Sequence, residues 1–369
     1  MTNLKKLTNI LAASAFAVTS FAGVAHADMA ALEAAAKAEG KLSTIALPHD
    51  WCGYGEIIAS FKAKYPEITV TELNPDAGSA DEIEAIKANK DNKGPQNPDV
   101  IDVGLAFGPS SVAEGLLMPH KVAMWGDIAD GVKDKDGHWA GAYHGVMAFV
   151  VNKDLVKNVP QDWADLLKPE YAGQVALTGD PRASAQAISA IMAAGMANGA
   201  KPGADSGAAG LQFFKALNDA GNFVPVVGKT GTLAQGTTPI VIAWDYNGLS
   251  WGKGLAGNPP IEVVIPKSAK LAGVYVQAVN AFAPNPNAGK LWMEHLFSDE
   301  GQIGYNKGFC QTARFNSMVA AGKVPADVLA AMPAAASYEG AYFPTLDELN
   351  ANKEAVTKGW DSVVAAEVK

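Results

Sequence analysis

The stretch LSTIAL, residues 42–47, is apolar apart from two small hydroxyl residues and is followed by a proline, so it predicts a short buried strand. Apolar residues at helical spacing then predict a helix over residues 55–64. Two further strands are predicted over residues 68–73 and 99–103. Strands that alternate with helices predict an α/β protein with a mostly parallel sheet, whose ligands bind at the carboxyl ends of the strands.

The alternation of strands and helices continues along the chain. Between the second and third strands Ser79 opens a helix, and Glu82 three residues later has the spacing of a capping box. Residues 139–143 and 145–151 predict two paired strands, and a second series of strands and helices follows them. In that series, residues 202–210 are predicted to form a loop of small residues.

The first 27 residues have the features of a secretory signal peptide. Lys5 and Lys6 precede an apolar segment, which ends in the motif AHA at residues 25–27. We therefore predict that residues 1–27 are removed on export. Since no cysteine stands at the cleavage point, we expect a free periplasmic protein rather than a lipoprotein.

The exported part is acidic and large. The whole chain carries a formal net charge of −9, which becomes more negative when the two signal lysines are removed. This charge argues against nucleic acid and anionic membrane surfaces as partners. The part beyond residue 27 is longer than one hydrophobic core usually serves, so we expect two domains.

Motifs of common phosphate-binding, redox and metal sites are absent from the sequence. It contains no GxxxxGK[ST] phosphate loop, no HExxH and no CxxC. His138 and His144 lie close together in the sequence but lack a second pair of metal ligands, and the segment around Asp134 lacks the glutamate that completes a calcium loop. We therefore expect a protein that is not an enzyme and that uses no metal or cofactor.

The stretch TGDPRASAQA, residues 178–187, combines a turn with a predicted helix start. Asp180 suits the N-cap and Pro181 the first helical position. Arg182 and Ser184 then fall in the first turn, where a cation opposes the helix dipole and an anionic ligand would satisfy both the arginine and the free N–H groups. The alternative is a well-capped helix that needs no ligand.

Two aromatic clusters are further candidates for ligand contacts. Trp244, Asp245 and Tyr246 follow a predicted strand, and a carboxylate between two aromatic rings suits an ammonium group. The alternative is that both rings belong to the core and that Asp245 caps a turn.

The second cluster is the loop after the first strand, which carries Asp50, Trp51 and Tyr54. Loops in this position often contact ligands. Ser79 lies at the helix start after the second strand and is a further candidate for binding an anionic group.

Several motifs occur in an order that resembles a known family. They are PDVIDVG (98–104), GVMAFVVN (145–152), WADLLKPEYAGQVALTGDPRAS (163–184), TPIVIAWDYN (238–247), IEVVIPKSA (261–269) and PNPNAGKLWMEHLFSDEGQ (284–302). Together they resemble the periplasmic solute-binding proteins of ABC importers, in the class II group that includes ferric-iron, spermidine/putrescine, thiamine and 2-aminoethylphosphonate binders.

The resemblance implies two α/β lobes that close on a solute and are joined by two crossing strands. The first lobe would consist of residues 28–150 and 275–369, and the second of residues 151–274. Residues 149–152 would form the first crossing strand and residues 275–277 the return. The C-terminal helices would pack on the first lobe, and the partners would be a small-molecule solute and an inner-membrane permease, with the protein a monomer.

The resemblance also bears on the two cysteines, Cys52 and Cys310. The residues alone leave open whether these thiols are paired or free, because they are 258 positions apart. The resemblance returns Cys310 to the lobe that holds Cys52, and so implies a disulfide.

The ligand is narrowed by what the family members use. Ferric binders of this group use adjacent tyrosines, and the sequence contains no Tyr-Tyr pair. Polyamine binders hold ammonium groups with carboxylates beside aromatic rings, whereas the return strand offers Tyr275 but no acid. We therefore predict a zwitterion or organic anion such as 2-aminoethylphosphonate, with Arg182 and Ser184 at its anionic end. A polyamine is the alternative, and ferric iron or an exported enzyme on the same fold are less favoured.

Overall fold

The computed structural model of the protein describes residues 19–369, with side chains described from Asp28 onward. The predicted signal peptide, residues 1–27, lies outside the part whose side chains are described and stays a prediction. Over residues 19–369, no helix combines the length and the apolar character needed to cross a membrane.

The strands of the described part form two sheets. Their bounds are β1 Lys41–Ile45, β2 Thr69–Leu73, β3 Val100–Gly104, β4 Leu117–Met118, β5 Ala140–Asn152, β6 Val175–Leu177, β7 Ile240–Trp244, β8 Ile261–Val264, β9 Ala272–Asn280 and β10 Gln311–Thr312. β1 and β2 pair in parallel, and the main path of the larger sheet runs β3-β9-β5-β7-β6. We call the layers built on β1 to β4 the first lobe and those built on β6 to β8 the second lobe.

Helices cover the sheets of both lobes. Their bounds are α1 Thr19–Glu39, α2 Tyr54–Lys64, α3 Ser79–Ala88, α4 Phe107–Ala113, α5 Ala185–Ala197, α6 Ala204–Asp219, α7 Thr230–Ala234, α8 Asp245–Leu255, α9 Pro286–Phe297, α10 Asp299–Lys307, α11 Phe315–Ala320, α12 Ala326–Ala331 and α13 Leu346–Val363. Short 3-10 turns lie at Trp125–Asp127, Asp130–Val132, Trp163–Leu167, Pro169–Tyr171 and Ala335–Tyr338. The predicted α/β class is confirmed, and β1, α2, β2 and β3 lie within two residues of their predicted bounds.

The prediction of a mostly parallel sheet is wrong, because two long strands run against their neighbours. β5 pairs antiparallel with β9 as far as Val146, and from Met147 onward it pairs antiparallel with β7 and then also with β8. Only β1 with β2 and β6 with β7 are parallel among the paired strands of the described part. β5 and β9 therefore connect the two lobes in opposite directions.

The predicted strand pair over 139–143 and 145–151 is also wrong, because one continuous strand, β5, covers both segments. Gly145 lies inside this strand. A Cβ at this position would lie 2.5 Å from the ring of Tyr246 and 2.8 Å from a carboxylate oxygen of Asp245. The glycine therefore serves a close contact within a strand.

The predicted loop over 202–210 is helical instead, since α6 begins at Ala204. Its small residues allow α6 to pack closely against α5. A Cβ on Gly195 would lie 1.9 Å from the Ser206 carbonyl oxygen, and one on Gly210 would lie 1.9 Å from that of Ile191. These contacts between backbones exclude larger side chains.

The C-terminal helices divide between the lobes, which corrects the expectation that all of them pack on the first. α9 packs on α1 and β9, whereas α13 packs on α5 and α6 of the second lobe. On α13, Trp360 is fully buried against Phe214 and Phe223. The apolar face of α13 thus completes the second lobe.

The chain reaches α13 through residues 335–345, which we call the strap. The Tyr342 N–H donates to the Lys270 carbonyl at 2.7 Å, and the Tyr342 carbonyl accepts from Ala272 N–H at 2.9 Å. The strap therefore runs beside the start of β9 and is a third connection between the lobes.

Cys52 and Cys310 form a disulfide, with their Cα atoms 5.5 Å apart and both residues fully buried. The bond joins the loop after β1 to the residues after α10. Gly53 and Gly308 meet beside it, where a Cβ on Gly308 would lie 2.1 Å from the Gly53 nitrogen. The disulfide and this backbone contact hold the loop that precedes α2.

Replacing both cysteines with serine should lower the free energy of unfolding by about 2–5 kcal/mol, because the disulfide restricts a long loop of the unfolded chain. Urea unfolding under non-reducing conditions measures this change. Reductant should destabilise the wild type by a similar amount and leave the double variant unchanged. Equal stability of the two proteins without reductant would contradict the prediction.

Candidate functional site

A cavity of about 680 Å³, which we call the polar cleft, lies between the two lobes. The first lobe contributes residues 46–51 after β1 and 75–82 after β2, together with Asp102 of β3. The second contributes the turn 178–186 after β6 and residues 226–232. The segments that follow β1, β2 and β6 lie at the carboxyl ends of these strands. Ligands of α/β sheets bind at such ends.

The turn that forms part of the second-lobe wall differs from its prediction. α5 begins at Ala185, and its N-cap is Ser184, whose hydroxyl accepts from the Ala187 N–H at 3.3 Å. Asp180 and Pro181 therefore precede the helix and do not start it. The Asp180 carboxylate is instead occupied by the backbone N–H and the guanidinium of Arg182.

Arg182 does not line the polar cleft. Its guanidinium binds both carboxylate oxygens of Asp180, at 2.6 Å for the shortest contact, and binds Asp361 of α13 at 3.1 Å. Two carboxylates therefore already balance its charge. The predicted direct contact between Arg182 and an anionic ligand therefore differs from this arrangement, in which carboxylates of the protein bind the guanidinium.

Gln186 lies in the first turn of α5 and lines the polar cleft, although only 1% of its surface is exposed. Its Nε2 donates to the Asn247 side-chain oxygen at 2.8 Å. Its Oε1 has no hydrogen-bond partner among the described residues. A buried amide oxygen without a partner costs free energy, so this group favours a ligand that donates a hydrogen bond.

The first-lobe wall carries three of the predicted site residues. Asp50 is exposed to the polar cleft and accepts from the Thr230 hydroxyl of the second lobe at 2.6 Å. Trp51 donates from its indole N–H to the Tyr143 hydroxyl at 2.8 Å. The buried Ser79 hydroxyl accepts from the Gly104 N–H at 3.2 Å, and its side chain also lines the wall.

The predicted capping box at Ser79 and Glu82 is wrong. Asp81 accepts from the Gly78 N–H at 2.8 Å and takes the capping role. Glu82 is buried and accepts from the Asp102 N–H at 2.9 Å. Burial raises the pKa of the Glu82 carboxyl well above its usual value, and the nearby Asp102 adds to this effect.

The lobes touch each other around the polar cleft. Besides the Thr230–Asp50 contact, Lys229 pairs with Asp76 at 2.7 Å, and Ala80 N–H donates to the Ala183 carbonyl at 3.1 Å. The structure is therefore a closed arrangement of the two lobes.

Trp244, Asp245 and Tyr246 are all buried beneath the cleft and do not line it. Asp245 accepts from the Val146 N–H at 2.9 Å and from the Tyr338 hydroxyl at 2.6 Å. Burial raises the pKa of Asp245 to about 6. The buried rings of Trp244 and Tyr246 agree with the alternative prediction, in which both rings belong to the core.

A buried network at the floor of the polar cleft, which Asp102 lines, was not predicted. Its centre is Asp102, which accepts from Tyr54 at 2.8 Å, from Tyr143 at 2.5 Å and from Gln277 at 2.6 Å. Tyr54 is thus buried below the cleft. Tyr275, in contrast, lines the cleft and stacks on Tyr143 with ring centroids 5.5 Å apart. Only tertiary contacts bring this set together, because no local motif joins it.

The structure therefore brings five of the ten predicted ligand contacts to one cavity. Those that line the polar cleft are Asp50, Trp51, Ser79, Ser184 and Tyr275. Gln186 and Asn247 also line the polar cleft and were not predicted, although Asn247 directly follows Tyr246. Over the part of the chain that is described, no group of three or more His, Cys, Asp or Glu is placed to hold a metal ion.

Comparisons with known proteins agree with this architecture. The family described as bacterial extracellular solute-binding protein matches residues 96–330. No curated protein sequence matches the chain at a significant level.

Solved structures extend the likeness to most of the chain. The periplasmic binding protein AfuA from Actinobacillus pleuropneumoniae, with fructose-6-phosphate bound, is 18% identical, with a TM-score of 0.67 over 88% of this chain and 99% of that chain. Iron-bound HitA from Pseudomonas aeruginosa is 15% identical, with a TM-score of 0.63 over 86% and 97%. A putative spermidine/putrescine ABC transporter from Listeria monocytogenes is 14% identical, with a TM-score of 0.61 over 88% and 99%. At these identities the likeness is one of fold, and it confirms the predicted two-domain architecture.

The stability contributed by Asp102 should depend on pH. Burial raises its pKa from 3.8 to about 7 in the folded protein. The folded state therefore binds more protons than the unfolded state in this window, so the contribution is present below about pH 4 and lost as pH rises through about 7. Between pH 4 and 7.5, the stability of wild type relative to Asp102→Asn should fall by at least about 1.4 kcal/mol, the equivalent of one pKa unit.

Urea unfolding at several pH values measures this difference. The exposed Asp91 supplies the control, since Asp91→Asn should keep the pH dependence of the wild type. A constant difference between wild type and Asp102→Asn across the range would contradict the assignment.

Proposed function

Since the chain belongs to the bacterial extracellular solute-binding proteins, the solute-binding components of ABC importers, we propose that its polar cleft captures a small zwitterionic organic solute. 2-Aminoethylphosphonate is the example of this class that we put first. The loaded protein would deliver the solute to an inner-membrane permease from the periplasm, as a monomer. The lobe boundaries that we propose are the predicted ones, except that α13 joins the second lobe.

The observation that carries this proposal is the difference between the two walls of the polar cleft. On the second lobe, Ser184 and Gln186 present the N-terminal turn of α5, where N–H groups and the helix dipole favour an anionic group. On the first lobe, Asp50 and Trp51 present a carboxylate beside an aromatic ring, which suits an ammonium group. A solute with opposite charges at its two ends matches both walls.

Arg182 has an indirect role in this proposal. The Asp180 carboxylate lines the polar cleft beside the start of α5, where an unpaired negative charge would repel an anionic ligand. The ion pair with Arg182 neutralises that carboxylate. We therefore assign Arg182 to positioning and charge balance rather than to ligand contact.

A polyamine is the second candidate, and the charge of the cleft wall supports it. Asp50 and Asp81 both line the cleft, and neither forms an ion pair with a lysine or arginine in the described part of the chain. Lys229, which also lines it, is paired with Asp76. An excess of carboxylates favours a cationic solute.

Thermal unfolding with a panel of solutes separates these candidates. We expect 2-aminoethylphosphonate to raise the melting temperature, since a ligand at about 100 times its Kd stabilises by about 2.7 kcal/mol. Ethylphosphonate, which lacks the ammonium group, and spermidine should have much smaller effects. Asp50→Asn should lose the preference for 2-aminoethylphosphonate over ethylphosphonate, whereas Asp91→Asn should keep it. Stabilisation by spermidine alone would make a polyamine, and not a zwitterion, the favoured ligand. If no solute of the panel raised the melting temperature, both candidate ligand classes would be overturned.

The role of Arg182 is tested with a pair of variants. Arg182→Ala should weaken binding of 2-aminoethylphosphonate about tenfold or more, because it leaves Asp180 unpaired beside the anionic group. Adding Asp180→Asn to that variant should restore most of the affinity, as measured by calorimetry. A double variant as weak as Arg182→Ala would instead indicate direct contact between Arg182 and the ligand.

A further inference from the structure

A second cavity, of about 350 Å³, lies beside the polar cleft and has a different lining. The two cavities share Ala185 and Tyr275. Between them Gly104 of the first lobe meets Ala185 of the second, so closely that a Cβ on Gly104 would lie 2.5 Å from the Ala185 Cβ. This contact separates the second cavity, which we call the apolar cavity, from the polar cleft.

The apolar cavity is formed by elements of both lobes and by the strap. Its principal apolar side chains are Leu105, Phe107, Ile188, Trp244, Phe343 and Leu349. Its volume lies at the lower end of the range of about 300–1,000 Å³ that is typical of small-molecule sites. The space therefore suits a small apolar group better than the polar solute of the neighbouring cleft.

Lys353 of α13 is the charged side chain that lines the apolar cavity. Its Nζ lies 4.3 Å from the centre of the Phe107 ring. The amine makes no hydrogen bond or ion pair within residues 28–369, and burial lowers its pKa from the usual value. By contrast, the exposed Lys358 on the same helix pairs with Glu354 at 2.6 Å. Glu114 is the nearest acidic group that acts on this amine, but it lies beyond ion-pair distance and pairs with Lys87. A half-buried ammonium that forms no ion pair favours a carboxylate ligand.

The strap places a second unusual side chain at the rim of this cavity. Phe343 is 51% exposed and contacts the rest of the protein edge-on through His144, at 5.2 Å between ring centres. Exposed aromatic rings at a cavity rim are typical of sites where a ligand covers them. Phe343 and Lys353 thus offer an apolar and a charged contact to one occupant.

We infer that the apolar cavity is a second small-molecule site, which takes a small apolar organic acid with its carboxylate on Lys353. The apolar body of the ligand packs against Phe107, Ile188 and Trp244. This site is distinct from the polar cleft in lining and in charge. Because its walls come from both lobes, an occupant stabilises the same closed arrangement as a solute in the cleft.

Phenylacetate and its neutral analogue 2-phenylethanol serve as probes, and calorimetry with the full protein measures their binding. Phenylacetate should bind saturably, and Lys353→Met should weaken it about tenfold or more without weakening 2-phenylethanol, because only the carboxylate loses its partner. Lys358→Met is the matched control and should bind phenylacetate as the wild type does. Leu349→Trp, which fills part of the cavity, should weaken both probes.

Three results would overturn the inference. They are no saturable binding of phenylacetate, equal affinity in wild type and Lys353→Met, and displacement of phenylacetate by a solute shown to bind through Asp50. The inference stands apart from the proposed function, since binding that depends on Lys353 supports it even if no zwitterion binds the polar cleft.

Discussion

The continuous pairing of β5 with partners in both lobes is the constraint on which the rest of the structure depends. Its first half pairs with β9, and its second half pairs with β7 and β8. A strand that serves two sheets must keep its backbone extended through the point where its partners change. The polar cleft and the apolar cavity both lie beside that point, where the side chains of Trp244 and Tyr275 meet.

Closure of the lobes depends on residues without bulky side chains. Gly78 lies so near the second lobe that a Cβ there would be 3.1 Å from the Ala183 carbonyl oxygen, and Gly104 is in similar contact with Ala185. The close contact between Gly104 and Ala185 divides the space between the lobes into two cavities. One is lined by carboxylates and helix N–H groups, and the other by apolar side chains with a single lysine.

Features encoded by neighbouring residues could be predicted from the sequence, and those that depend on distant residues could not. Local apolar spacing was enough to place β1 and α2. Residues 139–151 were interpreted as two strands, because the close contact of Gly145 within one continuous strand depends on Tyr246, which is distant in the chain. The second ion pair of Arg182 depends on Asp361, which α13 brings to it from the far end of the sequence. The disulfide between Cys52 and Cys310 was implied only by the likeness to a family.

The strap changes what kind of movement the lobes can make. Two crossing strands alone would leave the lobes free both to bend and to twist about the line that joins them. The strap adds a third tie, bonded to the backbone at Lys270 and Ala272 and to the Asp245 carboxylate through Tyr338. A third connection restricts the twisting of one lobe against the other, so we expect opening mainly by bending. The strap thereby restricts the relative motion of the two lobes, so the two walls of the cleft meet in the same alignment when the lobes close.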